Sequence, residues 1–358
     1  MQRWFSLCMI GLLLAACGGA VVPTAVPTTA ANNPDLAAIK TYLVGKATDL
    51  DARTTQLAAA GQRYYDLAKA SNFDYAALWR DQPAAVSATL LEAKQLWTAA
   101  SPNYEQMEGI VAGVPTLTDF DVILDAGSSG AEGGDNVAPY DLTLADGRTI
   151  AQPGNLFGVT ESTLWGTFPD FTVANVSADL DGNSTVDFGE SLPEANVLLA
   201  STRKMQTTAG ELLVATQAWQ PTEADAFTAL VTMVPTMNEY FESWKNSRFV
   251  AGDSSSQRDF VAISRLADVG DILGSLEVVY ISLSPKVATV DSAQDQKIAS
   301  DLAALRSFVA DVHAQEQSGQ RFTPEEADLL GAEAQNRATA ITGQISQIAA
   351  RLNVEIDG

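Results

Sequence analysis

Twelve consecutive residues, Asp179-Leu180-Asp181-Gly182-Asn183-Ser184-Thr185-Val186-Asp187-Phe188-Gly189-Glu190, carry oxygen-bearing side chains at their first, third, fifth, seventh, ninth and twelfth places. That spacing suits a hard divalent cation. Calcium takes about six to eight oxygens at roughly 2.3–2.6 Å, and a short loop supplies most of them only by curling round the ion with alternate residues inward. Asp179, Asp181 and Asn183 would then offer side-chain oxygens and Thr185 its backbone carbonyl, while Asp187 acts through a water. Glu190 closes the far side with both carboxylate oxygens.

These are the ligand places of the EF-hand calcium loop, in the same order. The sixth place, normally Gly because the turn there needs positive φ, is Ser184. A weaker site or a slightly altered turn is expected, with Val186 at the apolar eighth place packed beneath the loop. The chain has one such loop where sensors have pairs, which points to a structural Ca2+.

Around this loop the chain must supply a scaffold and an address. Met1-Gln2-Arg3 is a short basic start, and Trp4 to Leu14 is an apolar run too short for a lasting membrane span. Leu14-Ala15-Ala16-Cys17 resembles the lipobox of bacterial lipoproteins. That resemblance implies a signal peptide at 1–16, acylation of Cys17, and an extracytoplasmic protein lipid-anchored to the bacterial cell membrane. Residues 17–34, with Pro23, Pro27 and Pro34, read as a flexible tether. Cys8 leaves with the signal, so the mature chain keeps one cysteine and no internal disulfide. A formal charge of −23 repels nucleic acid and suits metal ions as partners.

From Asp35 the spacing is helical: Leu36, Leu43, Leu50, Leu57 and Tyr64 recur every seventh place, a bundle seam. Pro83 starts a second helix with Val86, Leu90, Leu91 and Trp97, and Ser101-Pro102 is expected to stop it and cap a third through Tyr104, Met107 and Ile110. These make an N-terminal bundle part at 35–115. Residues 116–190 read as an irregular insert, with one hairpin where Leu142 to Ile150 alternates around Asp146-Gly147. A C-terminal bundle at 191–358 follows. Its helices start at a Ser191–Glu194 capping box, at Thr222 and at a Thr323–Glu326 capping box; one is kinked at Pro235, and one runs from Ser255 until Pro285 ends it before another begins at Asp291. The class is all-α: antiparallel helical bundles with an irregular insert holding a small β-hairpin.

Other residues could do chemistry. Glu105 and Glu108 share a helix face, either solvated or gathered round a cation. Glu161, close to Trp165, is either a ligand in an aromatic-walled cleft or a helix-start glutamate beside a core tryptophan. His313 and Glu316 also share a face, but His313 is the only histidine, and a polar outer face is the simpler account. The basic residues Lys245, Arg248 and Arg265 suit internal ion pairs or an anionic ligand. No nucleophile elbow, phosphate-cradling glycine loop or zinc-protease helix motif is present, which argues against an enzyme.

Phe157-Gly158-Val159-Thr160-Glu161-Ser162-Thr163-Leu164-Trp165 resembles the Gly-Phe-His-x-x-Glu segment and following Leu-Trp of the imelysin family, which includes extracytoplasmic iron-uptake lipoproteins. Trp97, Tyr104-Glu105 and Glu108 resemble its Trp-then-Tyr-Glu helix, Asp121 and Asp125 its Asp-containing loop, and Asp259-Phe260-Val261-Ala262 a late helix start. The resemblance implies a two-bundle helical fold and a metal- or iron-linked envelope role, with Glu161, Glu105 and Glu108 as a second metal site. The family's His place is Gly158, so the His–Glu ligand pair is incomplete. The alternative is an envelope module that docks a protein partner and is stabilised by calcium, without iron.

Overall fold

The computed structural model describes residues 33–134, 136–255 and 257–356. The signal peptide, Cys17 and all but the last two residues of the expected tether lie outside this range.

The seam beginning at Leu36 becomes α1 (Leu36–Ala70), capped by Asp35, whose side chain accepts from the Ala38 N–H. Leu43, Leu50, Leu57 and Tyr64 are fully buried along it. A short α2 (Tyr75–Asp81), unforeseen from the sequence, precedes α3 (Pro83–Val111). Pro102 neither stops α3 nor caps a new helix: it lies within α3, whose Trp97, Ala100, Ser101 and Tyr104 are buried on either side of it. Tertiary packing outweighs the lost backbone hydrogen bond.

The insert holds α4 (Thr118–Asp121), which runs into a π-helical turn at Val122–Ala126, the expected hairpin, and α5 (Leu156–Trp165). β1 (Leu142–Thr143) pairs antiparallel with β2 (Thr149–Ile150), Leu142 opposite Ile150. Leu142 and Leu144 join Val159, Phe171 and Val197 in a small satellite core. α6 (Ala195–Ala218) is capped by Glu194, which accepts from the Val197 N–H, so the Ser191 capping box does not form. Leu192 and Pro193 are instead held extended against Thr172 and Val173.

α7 (Glu223–Met233) starts at a Thr222–Asp225 capping box, and a 3-10 turn at Pro235 separates it from α8 (Met237–Asn246). α9 (Arg248–Ala251) is one turn. α10 (Arg265–Gln317) begins ten residues later than Ser255 and passes through Pro285; its break falls at Asp291, with φ −159° and ψ 96°. The Asp291 carboxylate accepts from the Gln294 N–H and starts the second half there. α11 (Pro324–Leu352) has the expected Thr323–Glu326 box.

α1 packs on α3 and α6, while α8, α10 and α11 form the second group. The boundary expected at 191 therefore does not mark a change of bundle, because α6 returns to α1 before the chain crosses over. α3 and α10 join the groups, and a Cβ at Gly109 would meet Ser275 Oγ at 2.5 Å and Leu276 Cγ at 2.9 Å, so a larger residue there would force side chains of α10 aside. Among the described residues no helix is long and apolar enough to cross a membrane.

Candidate metal centres

The loop at 179–190 curls as its spacing requires. Asp179 accepts from the N–H groups of Gly182, Asn183 and Ser184, and Glu190 from those of Leu180, Asp181 and Asp187. Asp181 accepts from Asn183, and Asp187 from the Asn183 amide and the Thr185 hydroxyl. Ser184 has φ +75°, the left-handed turn usually given to glycine. Oxygens of Asp179, Asp181 and Glu190 lie within 4.8 Å of one another. Val186 does not pack beneath the loop: it is 50% exposed, and Leu180 is buried in its stead.

The loop is moored to both groups of helices. Lys94 of α3 donates to the Gly189 carbonyl and lies 5.4 Å from the Trp165 ring. Burial pulls the Lys94 pKa down to about 8. On the other side the Arg248 guanidinium stacks 3.4 Å from the Phe188 ring centroid.

A second acidic group lies where α3, the π-helical turn and α10 meet. Glu105, Glu108 and Asp125 each bring an oxygen within 4.8 Å of the others, and all three are buried. One oxygen of each, Glu105 Oε2, Glu108 Oε2 and Asp125 Oδ2, has no hydrogen-bond partner. Such groups carry a desolvation cost unless a proton or cation neutralises them. The π-helical turn places Asp125, and such turns are frequent at functional sites. Tyr240 donates to the other oxygen of Glu108, and Tyr104 to Asp121 at 2.6 Å.

Arg265, the first residue of α10, enters this group. Its Nη1 is 3.0 Å from Asp268, 3.7 Å from Asp125 and 3.9 Å from Glu105. Phe260 and Tyr240 stack on its guanidinium, at 3.8 and 4.7 Å to their ring centroids. Burial, and then the neighbouring carboxylates, push Glu105 well above the usual carboxylate range, with Arg265 opposing. Burial pushes Asp125 well up against Arg265, Asp121 to about 8 and Asp268 to about 6. A cleft of about 290 Å³ leads to the group and is lined by Glu108, Asp125, Tyr240, Asp259 and Arg265.

Glu161 does not join the other two glutamates as a third oxygen donor. It is 1% exposed, and its two oxygens accept from the N–H groups of Phe260, Val261 and Ala262 at 2.7, 2.9 and 2.8 Å. Burial pushes its pKa up to about 8, against the pull of those three donors. This clasp holds residues 260–262, just before Arg265, outside α10. Glu161 still lines a water-sized void of about 10 Å³ with Gly158, Glu105, Asp125 and Trp97. A Cβ at Gly158 would meet Asp259 Oδ2 at 2.5 Å, so an aspartate from another segment fills the imidazole's place.

His313 of α10 faces Gln317 at 3.2 Å, while Glu316 accepts from the Trp244 indole at 2.6 Å, so the pair is not directed at one point. Lys245 pairs with Glu242 and Asp328, as expected for internal ion pairs. Sequence reading missed Asp268 and Tyr240, took Asp259 only as part of a helix start that falls outside α10, and placed Arg265 only among generic ion pairs. The spacing of Arg265 and Asp268 on one helical face was the available signal.

The all-α bundle with its small hairpin defines a fold class, and the family comparison agrees with it. The family model for imelysin, designated peptidase M75, matches residues 36–348, and the chain belongs to that family. No curated protein sequence matches it. Among solved structures, a protein from Parabacteroides distasonis ATCC 8503 assigned as an iron-regulated protein A precursor is similar in fold, with a TM-score of 0.52 at 14% identity over 87% of this chain and 94% of that one.

Iron held by a pair at 158 and 161 does not fit these residues. Position 158 offers no imidazole, and backbone donors take both Glu161 oxygens. The orphaned oxygens of Glu105, Glu108 and Asp125 do fit a hard, oxygen-preferring cation.

Proposed function

We propose that this chain is an extracytoplasmic, lipid-tethered cation-binding protein. It holds one Ca2+ structurally through Asp179, Asp181, Asn183, Thr185, Asp187 and Glu190, and a second cation through Glu105, Glu108 and Asp125. Membership of the imelysin family supports an iron-linked role; the all-oxygen donor set would take iron in its hard ferric form. Cys17 anchors the chain to the membrane, and binding, not peptidase turnover, is its task. The observation that carries this reading is the set of three buried, unpartnered carboxylate oxygens at the end of a cleft.

The test is titration of the chelator-stripped mature protein with Ca2+, Mn2+ and ferric citrate. Glu190→Gln should abolish the Ca2+ heat and spare the second site, and Glu105→Gln should do the reverse. Equal heats in all three proteins would overturn the reading. Cys17→Ala should release the protein from the membrane fraction, and retention would end the anchor assignment.

A specific observation favours a second reading, in which the fold serves as a calcium-stabilised envelope module for a protein partner. Arg265 already supplies one positive charge inside the carboxylate group. Ca2+ binding with no second ion of any kind would select this reading.

A further inference from the structure

We infer that Arg265 sets the affinity of the Glu105–Glu108–Asp125 site, acting as a fixed internal counter-cation that weakens the hold on a hard divalent ion. The inference rests on the cation reading of that site.

The guanidinium is 8% exposed at its side chain and stacked between two rings, Phe260 and Tyr240. Glu161 fixes the chain just before it by clasping three consecutive N–H groups. Arg265 therefore cannot leave as a surface arginine would. It makes a hydrogen bond to Asp268, yet Glu105 Oε2 and Asp125 Oδ2 are 3.9 and 3.7 Å from it and remain unbonded. Its charge reaches these two carboxylates while their lone pairs stay open. Two like charges a few ångströms apart repel strongly where solvent is excluded. An incoming dication thus meets a positive charge already in place, and only the surplus of carboxylates over Arg265 holds it. Asp121, Asp259 and Asp268 also border this group or its cleft, so a cation that displaces the protons of the raised carboxylates meets more of them than the one charge of Arg265 can offset.

The probe is Mn2+, with the free ion followed by electron paramagnetic resonance in the full mature chain and the site defined as the binding lost in Glu105→Gln. Arg265→Gln should bind Mn2+ at that site at least tenfold more tightly, and Arg265→Lys, which keeps the charge, within threefold of wild type. Melting adds a readout that a purely structural role would not move: the gain on adding Mn2+ should be larger in Arg265→Gln than in wild type, whatever the two proteins melt at without ion. If Arg265→Gln does not fold alone, refolding in saturating Mn2+ should recover a cooperative melt. Unchanged Mn2+ affinity, or failure to fold even with Mn2+, overturns the role of Arg265 and leaves the site itself standing. Absence of any Glu105-dependent Mn2+ binding in wild type and Arg265→Gln alike overturns the site, and this inference with it.

Discussion

The loop at 179–190 and the group around Glu105 both gather carboxylates, and they treat the charge in opposite ways. In the loop the acidic side chains are close in sequence and partly solvated, and each accepts hydrogen bonds from the loop itself. In the buried group they come from α3, the π-helical turn and α10, and three oxygens have no donor at all. The loop can thus keep its curl without an ion, and an ion there would add order. The buried group needs a positive charge or a proton, and Arg265 supplies only part of it. Contiguity in sequence yields a site nearly complete by itself, whereas assembly from distant segments yields one whose charge depends on how those segments are held.

The largest expected effect lies in what holds them. Glu161→Ala leaves the N–H groups of Phe260, Val261 and Ala262 without their acceptor, the first and last part-buried and the second buried. At about 1–3 kcal/mol for each unsatisfied group, the loss of stability should be about 4 kcal/mol or more. Glu161→Gln, which keeps one acceptor oxygen, should lose about half as much. Urea denaturation measures both, and a loss below about 1 kcal/mol for alanine would show that the segment carrying Arg265 is fixed by something else.

Calcium comes next and sharpens the loop side. With free Ca2+ near a thousandfold above its dissociation constant, native-state binding should stabilise by about 4 kcal/mol. Chelation should therefore lower the melting temperature of wild type and leave Glu190→Gln unmoved. A wild-type melt indifferent to chelator would reduce the loop to an acidic turn.

A third test separates the two regions by pH. Burial raises Asp121 to about 8, above an unfolded value of about 3.9. The native state then binds more protons than the unfolded one between those values, so stability falls as pH rises from about 4 to 8 and the cost is complete above that. An asparagine in place of Asp121 would keep an acceptor for the Tyr104 hydroxyl without the charge. Without divalent ions, the stability of Asp121→Asn relative to wild type should rise between pH 5 and pH 9 by on the order of 3 kcal/mol. A pH-independent difference would mean that Asp121 titrates as an exposed acid.

The same contrast explains what could be read from the sequence. Alternate oxygens in twelve residues are a local pattern, and so are the seam at Leu43, Leu50, Leu57 and Tyr64 and the hairpin at Asp146-Gly147. Pro102 and Pro285 misled because proline acts locally while the long helices are held by packing along their faces. Ser255 failed as a helix start because Glu161, about a hundred residues earlier in the chain, claims the N–H groups of 260–262. Glu105 and Glu108 were visible as a pair, but nothing local says that Asp125 and Arg265 meet them.

The smallest expected effect tests what Gly158 has given up. Gly158→His restores the residue type that the family resemblance led us to expect there, at a position lining the void shared with Glu105 and Asp125. Its Cβ would press on Asp259 Oδ2 at 2.5 Å and Asn155 Oδ1 at 3.0 Å. Asp259, whose Cβ is also within 3.2 Å, must shift to admit the ring into a void of about 10 Å³, so an overpacking cost of about 1–3 kcal/mol is expected. In return the buried oxygens would gain an imidazole neighbour, which suits transition ions better than carboxylates alone. Stoichiometric Co2+ should then give visible absorption bands in the variant that are shifted and stronger than those of wild type. Identical weak spectra from both would place position 158 out of reach of the carboxylates, and the missing imidazole would then not account for the ion preference proposed for the buried group.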